Sequence, residues 1–250
     1  MVLDSIINPV FAPFLELPVF WSIFILSLVL SVVITFIYKA MTNQELMKSL
    51  REDMKKQQKQ LKTLRSQPEK MMAIQKQIME KNGKYMLQSF KPMIITFIPI
   101  IMIFGWFNAH YSYDPINPGE EFITTMYFSN IIEGVVSLEL PNEISVVDEN
   151  EQEIKDSVSW KLKGDAGEYI ITYNVDGKTY DKDILITDSY GYRDPIKSVN
   201  DGVVSSIDIG YEKLKPLSFK IFKWQPGWLG IYIILSLIFS LTLRKSLGIH

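Results

Sequence analysis

Four methionines, Met71, Met72, Met79 and Met86, fall within sixteen residues of an otherwise basic, soluble stretch, and the last three are spaced by sevens. That spacing puts the three on one face of a helix. A thioether side chain is unbranched and polarisable, so it repacks around many apolar shapes and recurs on promiscuous binding surfaces. The chemistry on offer is adaptable binding of hydrophobic segments. The competing reading is a spacer helix whose stripe is buried on its neighbour.

A second pattern carries hydroxyls. Ser27, Ser31, Thr35 and Tyr38 recur at steps of four, four and three, Tyr232, Ser236 and Ser240 at steps of four, and Thr96 lies in a separate apolar run. At 100° per residue the first set falls within about 80° of one helix face. Small hydroxyl residues let helices approach and bond across. They could equally line a hydrated groove, whose polar but uncharged walls would lower the cost of passing a polar segment into lipid.

Catalysis has little to work with. The histidines are His110 and His250, there is no cysteine, and no Ser/His/Asp set, phosphate-binding glycine loop or metal-ligand spacing is present. No enzymatic activity, cofactor or metal is expected, and disulfides and zinc–thiolate sites are excluded. The acidic run Asp148, Glu149, Glu151, Glu153 and Asp156 reads as solvated loop rather than calcium site.

The elements that must position these residues follow from charge. Residues 18–38, 92–107 and 228–243 contain no Asp, Glu, Lys or Arg. The first is long enough to span a bilayer, which takes about 20 apolar residues, and the other two are at the short end. Three such runs, flanked by Trp and Lys, predict transmembrane helices. Asp4 and Glu16 precede the first run without any Lys or Arg, so it is expected to be a retained span rather than a cleaved signal. Residues 1–17 are expected to lie at the interface. Between the spans, 39–91 holds 13 basic and 5 acidic residues, whereas 108–227 holds 11 basic and 21 acidic. Basic loops stay in the cytoplasm. The N-terminus and 108–227 are then outside, and 39–91 and the 244–250 tail inside, in a multi-pass protein of the plasma membrane.

Within 39–91, Thr42 and Glu45 read as a capping box. Met47, Leu50, Met54, Leu61 and Leu64 form one apolar stripe and Met71, Ile74, Ile78 and Tyr85 another, with a break at Ser66-Gln67-Pro68. This predicts an antiparallel coiled-coil hairpin. Gln57, Gln60, Gln75 and Gln77 dilute its seam, and its Lys-rich outer face suits anionic lipid or RNA. Residues 108–227 show seven strand-like runs separated by turn signals, among them Asp176-Gly177. An Ig-like β-sandwich with Trp160 and Tyr173 in its core is expected. The fold class is therefore membrane α-helical: a three-helix transmembrane core, a cytoplasmic helical hairpin and an extracellular Ig-like β-sandwich insertion.

The order of parts, with KPMIITFIPIIMIFGW at 91–106, YEKLKPL at 211–217 and PGWLGIYIILSLIFSLTLRKSLGI at 226–249, resembles the archaeal YidC-like proteins of the YidC/Oxa/Alb insertase superfamily. The likeness covers 18–107 and 211–249. It implies a three-helix core with a hydrophilic groove and a cytoplasmic hairpin near ribosome or nascent chain. It also implies insertion of membrane proteins without nucleotide hydrolysis, acting as insertase or chaperone. Nascent membrane proteins and the lipid bilayer are the implied partners, with the ribosome, met through the basic hairpin, and a partner membrane subunit as further candidates. Two departures stand out: these spans lack the groove Arg of many bacterial members, and the β insertion lies outside the family core. The reading from a different class is a non-catalytic receptor or scaffold with a β-sandwich outside and a coiled coil inside.

Because the chain lacks cysteine, single cysteines at Ser66 and Ser157 test the sidedness without background. They should react with an impermeant thiol reagent from opposite faces of the membrane. Labelling of both from outside would overturn the orientation.

Overall fold

Three helices are long and apolar enough to cross a membrane: α1 (Val19–Met41), α3 (Pro68–Tyr111) and α4 (Trp228–Ser246). A polar helix, α2 (Gln44–Thr63), lies between the first two. They belong to a computed structural model that describes residues 8–64, 67–130 and 133–249. Residues 1–7 of the N-terminal segment, Ser66 at the hairpin turn and His250 lie outside the described residues. The chain forms two units, Met1–Val19 with Trp106–Trp228, and Phe20–Gly105 with Leu229–His250.

In the helical unit, α2 starts one residue later than the capping-box reading has it. Asn43 is the N-cap, and its Oδ1 accepts from the Leu46 amide at 3.0 Å. Thr42 instead donates its hydroxyl back to the Tyr38 carbonyl at 2.6 Å, closing the end of α1. Asn is as good a cap as Thr or better, and a hydroxyl in the last turn is well placed to bond the carbonyl four residues back.

Pro92 was expected to separate hairpin from span, yet α3 runs unbroken for 44 residues, about 66 Å at 1.5 Å per residue. A mid-helix proline removes one backbone bond and costs about 3 kcal/mol. Ending the helix there would orphan several backbone groups, which costs more in an apolar surround. Further along, the Thr96 hydroxyl donates to the carbonyls of Pro92 and Met93 at 3.0 and 3.1 Å. The hairpin's second helix and the second span are therefore one rod.

α2 pairs antiparallel with the first half of α3. Lys81 donates to Asp53 at 2.8 Å, and Gln57 donates to Gln77 at 2.6 Å, both in one register. The Lys81 hydrogen bond and charge hold the Asp53 carboxyl below its ordinary range. Met47 and Leu50 are buried, while Met54, Leu61, Leu64, Met71, Ile74, Ile78 and Tyr85 are half-buried. The seam is narrow and mixed, apolar at its open end and polar in the middle.

The other unit holds β1 (Glu121–Phe128), β2 (Val135–Glu139), β3 (Ile144–Val146), β4 (Glu151–Glu153), β5 (Ser157–Gly164), β6 (Gly167–Val175), β7 (Lys178–Ile186), β8 (Ile196–Ser198) and β9 (Val204–Ile209). They form two antiparallel sheets, β3-β5-β1-β9-β8 and β4-β2-β6-β7, around one core. Alternating burial along SVSWKLKG, with Val158, Trp160 and Leu162 inward, follows from the two-residue strand period. Trp160 is fully buried, edge-on to Tyr173 at 5.7 Å, and its Nε1 donates to the Asn150 carbonyl at 3.0 Å. Burial pushes the Tyr173 phenol well above its ordinary range, with the Thr124 hydroxyl bond working against the shift. The Asp176-Gly177 turn joins β6 to β7 through two left-handed residues, φ +50° and +83°, as a type I′ hairpin requires. Two features differ from the sequence reading. The described residues contain nine strands rather than seven, because the short β4 and β8 have no buried alternation to reveal them. The strand order is also not the ABED/CFG order of immunoglobulin domains.

The cap assignment is testable. Asn43→Ala should cost about 1 kcal/mol and speed amide exchange in the first turn of α2, whereas Thr42→Val should leave that turn protected. Equal exchange in both variants would refute the assignment.

Candidate functional site

Three side-chain stripes converge in the helical unit. Tyr38 closes the hydroxyl stripe of α1; Tyr85, Ser89, Pro92 and Thr96 follow one face of α3; Arg244 continues the Tyr232, Ser236, Ser240 spacing of α4 by one more step of four. A cavity of about 340 Å³ opens where they meet, lined by Ile34, Tyr38, Tyr85, Ser89, Pro92, Met93, Thr96 and Arg244. The Arg244 guanidinium lies 4.7 Å from the centre of the Tyr38 ring, a cation–π geometry. The Tyr38 hydroxyl sits 3.5 Å from Ser89 Oγ and 3.6 Å from Met47 Sδ. The lining mixes apolar side chains with hydroxyls, and its one charged residue, Arg244, is held against an aromatic face.

Packing brings the stripes there. Phe24 meets Phe239 edge-on at 5.2 Å, fixing α1 on α4, and Phe104 meets Tyr232 edge-on at 4.8 Å, fixing α3 on α4. The expected groove residues separate under this packing. Tyr38 and Thr96 line the cavity. Ser27, Ser31 and Thr35 are buried and do not line it, Tyr232 packs on Phe104, and Ser236 and Ser240 are half-buried. Ser27 Oγ and Ser236 Oγ are buried without a hydrogen-bond partner among the described residues. A hydroxyl left unpaired when buried costs about 1–3 kcal/mol.

Arg244 was read as tail charge. Its signal in the sequence is the i, i+4 continuation from Ser240 across the end of the uncharged run. Ser89 and Tyr85 were missed for the opposite reason: they sit in the hairpin half of α3, and Pro92 hid the continuity.

The methionines divide. Met71 is half-buried on the hairpin seam with Ile74 and Ile78. Met72, Met79 and Met86 are 68%, 69% and 48% exposed, and Met93, seven residues on, is 54% exposed. They form one apolar line along α3, joined by Leu87, Phe90 and Ile94, all exposed, as the helix enters its uncharged half.

The β unit contains a second concavity, about 700 Å³, with the carboxylates of Asp114, Glu120 and Glu212 and the rings of Phe122 and Tyr211 on its walls. Burial, then the Glu212 and Glu120 charges, hold the Asp114 carboxyl above its ordinary range. No His, Cys, Asp and Glu grouping among the described residues is arranged to hold a metal ion.

Three helices apolar enough to cross a membrane, with a polar helix on the connection between the first two, define an integral membrane protein. The chain belongs to the EMC3/TMCO1-like integral membrane protein family, whose model matches residues 4–144, and with it to the Oxa1/YidC/Alb3 insertase superfamily. The match takes in α1, α2, α3 and the first strands; α4 and most of the β unit lie beyond it. No curated protein and no solved structure matches the chain.

Single cysteines report on the cavity. In membranes, Ser89→Cys and Thr96→Cys should react with a water-soluble thiol reagent much faster than Leu28→Cys on the exposed apolar face of α1. Three equal, slow rates would mean a dry, packed helix junction.

Proposed function

We propose that this chain is a membrane-protein insertase or chaperone of the archaeal YidC-like kind. It receives hydrophobic segments at the cytoplasmic face and passes them into the bilayer without nucleotide hydrolysis. The hairpin side is cytoplasmic on this reading, since 39–91 is strongly basic and 108–227 acidic. Family membership supports insertion as the general activity.

The observation that carries the mechanism is the cavity at Tyr38, Ser89, Thr96 and Arg244. Tyr38 is near the end of α1 and Arg244 near the end of α4, the ends that meet the hairpin side. A spanning helix is a cylinder about 30 Å long and 10 Å wide, roughly 2,400 Å³, some seven times the cavity volume. A whole client span does not fit. What fits is the polar cap, loop or terminus of a client, while its apolar length slides along the lipid-exposed faces of α3 and α4. Hydroxyls at Ser89, Thr96, Ser27 and Ser236 would give such polar groups, or water travelling with them, partners that lipid lacks. Arg244 would attract an acidic or carbonyl-rich client end, its charge sustained by the Tyr38 face.

The exposed Met72, Met79 and Met86 line then serves as the receiving surface. An insertase must accept many sequences, and flexible thioethers adapt where a rigid Leu seam selects for shape. Its run into Met93 and Ile94 offers a continuous apolar track from hairpin to span. Catalytic chemistry and bound cofactors have no part in this scheme, and a ribosome or partner subunit would act on the basic hairpin.

Photo-crosslinkers at Met79 and Ser89 should capture apolar nascent chains from ribosome complexes. Because the three methionines are surface residues, both the triple Leu and the triple Ser variants should stay folded, each substitution costing about 0.5 kcal/mol or less. Crosslinking to diverse clients and insertion of a reporter should fall in both, most in the Ser variant. Unchanged insertion with a folded triple Ser hairpin would sink the receiving-surface reading.

A further inference from the structure

Residues 219–224 of the β unit, FKIFKW, take no part in the groove. Ile221 and Trp224 exchange both backbone hydrogen bonds, at 2.7 and 2.9 Å, closing a two-residue turn over Phe222 and Lys223. Gln225 ties the base by donating to the Leu217 carbonyl at 2.7 Å. Both turn residues are left-handed, φ +47° and +68°, where Asn and Gly are the usual occupants. A bulky aromatic and a lysine there are conformationally costly, and costs of this kind persist where the displayed side chains have a use.

The display itself is unusual for a surface facing water. Phe222 is 100% exposed, with Phe219 at 60% and Trp224 at 54% beside it. Lys220 and Lys223, both exposed, alternate with the rings. The unit is otherwise strongly acidic, yet 213–227 contains four lysines and no Asp or Glu. Trp228, four residues after Trp224, begins α4. At no more than about 3.6 Å per residue, the turn cannot stray more than roughly 20 Å from the head of that span. Aromatic rings and lysines at this distance from a span are the composition of membrane interfaces.

We propose that the Ile221–Trp224 turn is an interfacial anchor: Phe222 inserts between lipids on the β-unit side of the membrane, with Lys220 and Lys223 on anionic headgroups. The occupant is lipid rather than protein because the patch is a single narrow tip, its charge opposes the rest of its own unit, and its tether confines it to the bilayer surface. The anchor would hold the β unit down on the membrane whatever passes through the helices, so it stands apart from the insertase reading.

The test is a nitroxide at Phe222→Cys in the otherwise cysteine-free full chain, reconstituted into neutral or anionic vesicles, with Glu149→Cys as the control on an exposed loop. At 222, oxygen should collide with the label more readily than a water-soluble nickel chelate does; at 149 the order should reverse. Lys220→Gln with Lys223→Gln should shift 222 toward water in anionic vesicles by about 25-fold in the buried-to-exposed ratio, as each lysine near such a surface is worth about fivefold, and do little in neutral ones. Retention of the sandwich's thermal transition in every variant excludes unfolding as the cause. Chelate access at 222 equal to that at 149 in both vesicles overturns the proposal, and so does shielding that appears only when a second protein is added.

Discussion

Phe107 stacks on Trp228, ring centres 5.3 Å apart and planes within 18°, and much else rests on that contact. It joins the point where the chain leaves its second apolar helix to the point where it enters its third. Trp228 Nε1 also donates to Ser112 Oγ at 3.0 Å, and Tyr111 donates to the Phe14 carbonyl at 3.0 Å, drawing in the N-terminal segment. Closing a loop of about 120 residues costs roughly 4 kcal/mol in chain entropy. Buried aromatic stacking of this sort, worth about 0.5–1.5 kcal/mol beyond its buried area, offsets a useful part. With those ends held, the β-sandwich can fold on its own core while α3 and α4 lie as neighbours, which the Phe104–Tyr232 contact continues one turn further.

The helical unit solves a different problem. Lipid offers no hydrogen bonds, so every polar group must find a partner in the chain, in water or in a passing segment. Most backbone groups are paired within helices that continue through Pro92 and Pro99, each of which removes one bond. Side chains are satisfied unevenly: Thr35 is buried on a helix face, Thr96 bonds its own backbone, and Ser27 and Ser236 are left over. The leftover groups lie on the same helices that frame the Arg244 cavity.

How much was legible in the sequence depended on whether a residue's signal was local. Uncharged runs and the Asp176-Gly177 turn are local patterns, and the apolar helices and the β6–β7 hairpin follow them. Trp160 and Tyr173 could be named as core because large aromatics on alternating strands have nowhere else to go. Signals that depend on competition were misread. Pro92 marks a helix end in water but not where ending the helix would strand backbone groups. Thr42 and Asn43 are both able caps, and only the geometry at the end of α1 decides between them. β4 and β8 are edge strands whose exposed side chains carry no period. Arg244 looked like tail charge because charge was counted by segment, while its place on a helix face is a matter of phase.

The exposed line Met72, Met79, Met86 and Met93 has a chemical corollary. In a chain with no cysteine, thioether sulfur is its readily oxidisable side-chain sulfur, and these four stand clear of the core. Oxidants would reach them before Met47 or Met126, both fully buried. Conversion to sulfoxide makes a flexible apolar side chain polar and chiral, and dedicated reductases reverse it. Oxidation would thus strip the apolar character from one face of α3 while the Leu50, Ile74 and Ile78 seam stays intact, so that the hairpin would keep its shape and lose its stickiness.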